Sequence, residues 1–558
     1  MRRNSVNART GYQTVLTASL CFLACAAFYL FRKPWLQPLT FDDAFMFTRY
    51  ARNVQNGLGI SWNLQGGPTF GLTSIPWMFF VLIATKFLPA QQSLQISSMF
   101  ASGLAVACMA CAFQRQARTP VLTNPWCCSA LVIVTTLAGG QFRANALSGM
   151  DTMLALAANS LLVATVLNWQ TKSTRKHALL VGIAASFTAM VRLDSGLCAL
   201  FVPLLAWIAQ PSEQPAKDPG TESAAKHKHD LLFLVVLPIV LIGAFLLACW
   251  LYFGAALPNS FYMKAANHYV GFLNGERPIE YFVDFLSASG VPIALIVLLA
   301  NLSDLKRFCP FLVPTILSIS YLFTVRQIMG WGGRFFFPQL PFILVPSLLV
   351  LDGALAESNL RVRLLALPST LVMKVSICTA FVCWVNLTEY QRIRAIKGVP
   401  VPGLVTASKR MLPPIGWFHS IREVTKIVQE AMPQGGTIAA SEVGYLGESL
   451  PNINIIDLAG LNDAEIARHG FSMNYLLAQR PELIWLPHSD YTGLTSAIVS
   501  DPRLLSQYTL LRGAFNYGIA IRKDGKDYNS LESHLVELWP TLYPGTNYRD
   551  YIVTAVRD

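Results

Sequence analysis

Long apolar runs separated by short polar breaks fill the first 387 residues, and the pattern then changes. The runs cover 14–32, 71–88, 92–113, 121–138, 148–168, 178–209, 231–253, 289–303, 308–325, 337–353 and 366–386. Crossing the hydrocarbon takes about 20 apolar residues per helix, so this pattern predicts about ten to twelve spans. The stretch 178–209 is long enough for two short helices hinged around Arg192-Leu193-Asp194-Ser195, and 289–303 is the shortest candidate. From 388 onward the periodicity is that of a soluble domain. Ile421 to Met432 reads as an amphipathic helix, Pro433 to Gly436 as a turn and Thr437 to Ala440 as a strand. Strand-like runs at Ile453–Leu458, Leu483–Leu486, Tyr508–Leu511 and Tyr517–Ile521 alternate with helical stretches near 463–469, 472–479 and 493–499. The predicted architecture is a polytopic α-helical membrane body, 1–387, followed by a soluble α/β domain, 388–558. That domain has no GxGxxG, P-loop or nucleophile elbow.

Composition agrees with the pattern: 53% of the 558 residues are hydrophobic and 13% charged, against roughly 25% charged in soluble domains. The 43 Lys and Arg exceed the 31 Asp and Glu, but no basic cluster is interleaved with aromatics, which argues against a nucleic-acid partner. The basic residues sit at segment ends: Arg2-Arg3, Lys172 to His177, Lys226 to His229 and Lys306-Arg307. By the positive-inside rule these ends are cytoplasmic. The first apolar stretch runs straight into Phe31-Arg32-Lys33, as an uncleaved first helix would. The loops 33–70, 139–150, 254–288 and 326–336, together with the C-terminal domain, then fall on the extracytoplasmic face. Two spans between 71 and 113 would put Arg115 and Arg118 outside, so either one of those segments is re-entrant or the arginines break the rule. The eleven cysteines carry no disulfide or zinc spacing.

The first outer loop holds an acidic pair, Asp42-Asp43, followed by Arg49, Arg52 and Asn53. On a helix, steps of seven and four residues put Asp42, Arg49 and Asn53 on one face, with Asp43 rotated about 100° away. Such a segment is expected to lie in the membrane interface and to hold carboxylates at the water–lipid boundary. Asp42 is then the expected catalytic carboxylate. Asp43 is expected to support the helix start or, as an alternative, a divalent metal.

The run Asp42-Asp43-Ala44-Phe45, Arg49-Tyr50-Ala51-Arg52-Asn53, Gly57-Leu58-Gly59 and Trp62-Asn63, continued by Gly71-Leu72-Thr73-Ser74 and Trp77, resembles the opening of GT-C superfamily membrane glycosyltransferases. It looks most like the terminal β-(1→2)-arabinofuranosyltransferase-like family. Ser148-Gly149-Met150-Asp151-Thr152 is similar to a family Ser-Gly-x-Glu-Thr signature with Asp for Glu. Val191-Arg192-Leu193-Asp194-Ser195-Gly196 resembles its Arg-Pro-Asp/Glu-Gly element with the proline and one spacing changed. Leu257-Pro258-Asn259-Ser260-Phe261-Tyr262-Met263-Lys264 and Gly330-Trp331-Gly332-Gly333-Arg334-Phe335 follow in order, the latter without the usual acid. Ile456 to Leu461 in the C-terminal region is also similar.

The resemblance implies transfer of a sugar, arabinofuranose first, from a polyprenyl-phosphate donor to a glycan or protein acceptor outside a bacterial inner (plasma) membrane. A phosphate leaving group needs cations at the membrane surface, and Arg192, Lys264 and Arg334 end separate apolar runs on the assigned outer side. Arg49, Asn53, Asp151, Asn259 and Tyr262 are expected to bind substrate or support the site. No cofactor is required, with a divalent metal as an option. Either direct displacement or a covalent intermediate fits paired carboxylates. Other classes remain open: a transporter or flippase of lipid-linked substrates, since intramembrane Arg and Asp also mark substrate pathways, or a non-catalytic cell-envelope assembly protein.

Overall fold

The computed structural model describes residues 2–32, 41–137, 139–210, 230–265, 268, 278–325, 330–356 and 412–554. Six of its helices are long and apolar enough to cross a membrane, or up to eight segments if each of two bent helix pairs is one span. The chain is a multi-pass membrane protein carrying a six-stranded C-terminal domain. The apolar run 366–386 lies outside the described residues.

The body contains α1 (Arg2–Arg32), α2 (Ala44–Gln55), α3 (Ile75–Thr85), α4 (Ala90–Gln116), α5 (Pro125–Leu137), α6 (Gly140–Ala146), α7 (Thr152–Lys172), α8 (Arg175–Val191) and α9 (Gly196–Ile208). It continues with α10 (Leu232–Phe253), α11 (Asn259–Ala265), α12 (Pro278–Leu299), α13 (Leu302–Thr324) and α14 (Pro341–Ala356). Local chemistry sets the breaks. Ser173 takes a left-handed conformation (φ 42°) that ends α7, and the Thr174 side chain accepts the His177 N–H to start α8. Asn301 and Asp304 form a capping box at the head of α13, which satisfies backbone donors that a helix start leaves unpaired.

The re-entrant option at 71–113 is settled by packing. Thr17 donates to Gln114 at 2.9 Å, whereas Tyr29 packs beside Ser102, so α1 and α4 run antiparallel and Arg115 shares an end with the start of α1. Helix α3 has 11 residues, about 16 Å of rise against the roughly 30 Å of hydrocarbon, so it does not cross. The stretch 178–209 is divided as expected, with Arg192 in extended backbone between α8 and α9. The short run 289–303 is instead the second half of a helix that starts at Pro278. The first half of that helix carries Asp284, which is buried against the Gly332 N–H rather than exposed to lipid. Helix α7 has 78% of its apolar window buried and α10 only 17%, so α7 is the axis of the bundle and α10 faces outward.

In the C-terminal domain, α15 (Trp417–Ala431) buries Ile421, Val424, Ile427 and Val428 at helical spacing. The strands are β1 (Gly436–Ala440), β2 (Ile453–Asp457), β3 (Leu483–Trp485), β4 (Tyr508–Leu511), β5 (Ile519–Arg522) and β6 (Ile552–Val553). Their order is β2-β1-β3-β5-β4-β6, with β2, β1 and β3 parallel and the other pairings antiparallel. The chain leaves β1 for one side of it and returns to the other at β3, so the topological switch lies between the ends of β1 and β3.

That edge of the sheet sits on the membrane body. Helix α2 is wedged between α3 and α16 (Gly444–Ser449), with nearly every residue from Ala44 to Ala51 buried. Both faces of α2 meet protein. Arg49 is 2% exposed and donates to the carbonyls of Trp62 (2.7 Å), Gly447 (2.6 Å) and Ile453 (2.8 Å). Its guanidinium also lies over the Trp62 ring at 4.6 Å. Arg52 pairs with Glu448, and Tyr50 donates to Asn462 at 3.0 Å. Hydrogen bonds to a charged group are worth about 1.5–3 kcal/mol each. Arg49→Met, which removes the donors to the Gly447 and Ile453 carbonyls across the joint, should weaken docking by about 3 kcal/mol or more. Hydrogen exchange across 444–456 is expected to accelerate at least about a hundredfold; unchanged protection there would rule out Arg49 as the joint.

Candidate functional site

Three cations from three separate parts of the body meet around one ring. Arg192, Lys264 and Arg334 lie 5.3, 4.8 and 5.0 Å from the centre of Phe335. Their positions follow from local backbone. Arg192 sits at the break between α8 and α9, where Asp194 takes its guanidinium in a fork at 3.0 and 2.5 Å. Asp151, at the head of α7, adds a contact to Arg192 at 3.5 Å and is itself held by the Thr73 hydroxyl at 2.8 Å. Lys264 is carried by α11, whose first residue, Asn259, donates its backbone N–H to the Phe70 carbonyl at 2.7 Å.

Arg334 follows a turn that only glycine permits. Gly332 and Gly333 have φ of 67° and 63°, and a Cβ on Gly333 would press on the Phe285 backbone N at 3.0 Å. This turn aims Arg334 inward, where it is 6% exposed. Its Nη2 reaches Asp43 at 3.4 Å, and its flank lies over Phe41 at 4.9 Å. Nε and Nη1 of Arg334 are buried and, among the described residues, have no hydrogen-bond partner. Buried donors are nearly always paired, so the arrangement offers two donors to an anion.

The helical geometry expected for the acidic pair holds, but the partners are exchanged. Asp42, Arg49 and Asn53 do point the same way, and what they meet is the C-terminal domain and the Trp62 loop. Asp42 accepts the N–H groups of Gly444 at 2.6 Å and Tyr445 at 2.7 Å, using both oxygens. A Cβ on Gly444 would land on the Asp42 carbonyl oxygen. Asn53 donates to Ser61 at 2.8 Å and Trp62 at 3.2 Å. Asp43, rotated off that face, is the member of the pair that reaches the cation cluster. It makes no side-chain cap for α2, so its expected role at the helix start is corrected.

The remaining expected residues divide. Asp151 belongs to the cluster through Arg192. Asn259 is 1% exposed and its Nδ2 is buried without a partner among the described residues. Tyr262 stands edge-on to Phe261 at 5.9 Å. Arg49 joins the two domains, and Asn53 holds the Trp62 loop against α2. Among the described residues, no group of three or more His, Cys, Asp or Glu side chains is arranged to hold a metal.

Several site residues were not predicted as such. Phe335 and Asp194 stand inside motifs already quoted, but their roles need the third dimension. Glu442 and His488 come from the C-terminal domain, after β1 and after β3. Glu442 is 3% exposed, and burial, opposed by His488 and reinforced by Asp43, pushes its carboxyl up to about 7. Burial and then the neighbouring Glu442 push Asp42 up to about 8, against the Tyr445 N–H that favours its charged form. Position after a parallel strand was the available signal, since ligands in α/β sheets bind outside the strands' carboxyl ends.

A family model described as a domain of unknown function (DUF8728) matches residues 416–533. The match covers most of the C-terminal domain, including Glu442 and His488, and none of the membrane body. No curated protein matches the chain.

Burial, then Arg334 and Arg192, push Lys264 down to about 8. A phosphate seated among the three cations favours its charged form, so binding above about pH 8 takes up a proton. Affinity for a phosphate ligand at this cluster is therefore expected to fall as pH rises from about 7 to about 9. Titration calorimetry at about pH 8.5 in buffers of different ionisation enthalpy should show net proton uptake, and its absence would argue against Lys264 as a phosphate ligand.

Proposed function

We propose that this protein is an integral membrane glycosyltransferase that moves a sugar, arabinofuranose first, from a polyprenyl-phosphate donor to a glycan or protein acceptor. In this reading the cation cluster lies at the extracytoplasmic face of a bacterial plasma membrane. The observation that carries it is the convergence of Arg192, Lys264 and Arg334 on Phe335, with two buried nitrogens of Arg334 unpaired and Asp43 alongside. The donor phosphate sits among the cations, and its lipid chain leaves toward the bilayer. As the bond between anomeric carbon and phosphate oxygen breaks, the electron pair goes to the phosphate, where the three cations hold the growing charge. Asp43 faces the positive charge that builds on the sugar. The acceptor oxygen then forms the new bond to the anomeric carbon.

Purified protein in vesicles, given synthetic polyprenyl-phosphoarabinofuranose and an arabinofuranoside acceptor, should release polyprenyl phosphate and extend the acceptor. Movement of the donor across the bilayer without extension would instead identify a flippase. Arg334→Gln should weaken donor binding by about 1.5–3 kcal/mol, tenfold to a hundredfold. Asp43→Asn should lower turnover by about a hundredfold or more with donor binding retained. Asp42→Asn should act on domain docking instead, and a docked Asp42→Asn protein that is inactive beside an active Asp43→Asn protein would reverse the assignment.

A further inference from the structure

The parallel half of the C-terminal sheet is closed at its ligand-binding edge by the membrane body. The loop after β1 brings Ser441 and Glu442, and the loop after β3 brings His488 and Asp490, to the switch between those two strands. The two loops are tied together, since the His488 N–H donates to the Ser441 hydroxyl at 2.9 Å; within the second loop His488 Nδ1 lies 3.3 Å from Asp490. In α/β sheets this crevice is where small ligands bind. Here Asp42 enters it and binds the backbone two and three residues beyond Glu442. That clasp puts Glu442 beside Asp43, whose carboxylate accepts from Nη2 of the buried Arg334 while Nε and Nη1 have no partner among the described residues.

From this geometry we propose that Glu442 of the C-terminal domain takes the proton of the acceptor hydroxyl, so that the active site is completed by the C-terminal domain. The assignment rests on the glycosyl-transfer reading above. The balance is direct. The acceptor O–H proton passes to the Glu442 carboxylate, the acceptor oxygen bonds to the anomeric carbon, and polyprenyl phosphate leaves with the bonding electron pair. His488 and the half-exposed Asp490 give the proton a way out to solvent between turnovers. A carboxylate held near neutrality suits this task, since a base works best when its pKa lies near the working pH. The groups that face it are Asp42 and Asp43 from the body, and His488, Asp490, Tyr517 and Trp417 from its own domain.

The test uses full-length Glu442→Gln and Glu442→Asp with synthetic polyprenyl-phosphoarabinofuranose and an arabinofuranoside acceptor. Glu442→Gln should slow transfer by about 10²–10⁴ and lose the acidic limb of the pH–rate profile, with donor affinity and hydrogen exchange across 444–456 unchanged. Glu442→Asp should recover part of the rate. Transfer by Glu442→Gln at the wild-type rate, or loss of transfer together with loss of protection across 444–456, would overturn the assignment while leaving the glycosyltransferase reading intact. A wild-type protein that binds the donor and transfers nothing would overturn both.

Discussion

The structure turns on a buried guanidinium that has carbonyls for partners. Arg49 sits between two parts of the chain some 400 residues apart in sequence, with hydrogen bonds to Trp62 on one side and to Gly447 and Ile453 on the other. Carbonyl dipoles and the Trp62 face replace water around the charge without a carboxylate, so the interaction depends on direction and demands that all of those carbonyls be present together. Asp42 makes the reciprocal contact, a body carboxylate on C-terminal-domain N–H groups. The two polar clasps share one helical face, and together they fix where the adjacent Asp43 must point.

Much of the architecture was legible from periodicity. The hinge at Arg192–Ser195 and five strands of the C-terminal domain fall where apolar patterning puts them, because burial on one face leaves a period in the sequence. Helix α16 and the late helix α17 (Tyr528–Leu542) were not read. The first, at 6 residues, is shorter than two turns of helix, and its glycines exist to let Asp42 and Trp62 approach. Helix α3 read as a span because an apolar run records what surrounds it and is silent on its direction. That it is only 11 residues long, too short to cross, is visible in the structure alone.

The cation cluster shows the same division. Residue types at segment ends pointed to Arg192, Lys264 and Arg334, since a basic side chain beside an apolar run has few places to go. Their meeting at Phe335 could not be read, because Phe335 follows Arg334 in sequence and nothing local distinguishes a core ring from a hub. The acidic pair is the clearest case. A rotation of 100° per residue separated Asp42 from Asp43 correctly, yet the sequence holds no mark of which direction faces the C-terminal domain. Amphipathicity ordinarily signals water against lipid; in α2 it separates two protein partners.

The clasp between Asp42 and Gly444 also imposes an order on biogenesis. A ribosome delivers the acidic loop early and its partner hundreds of residues later, after the described helices of the body have been made. Until then Arg49 and Asp42 lack their partners in the C-terminal domain. A chain cut short before β1 thus carries the cations without the loops that follow β1 and β3. Completion of synthesis is itself the step that joins the two clasps.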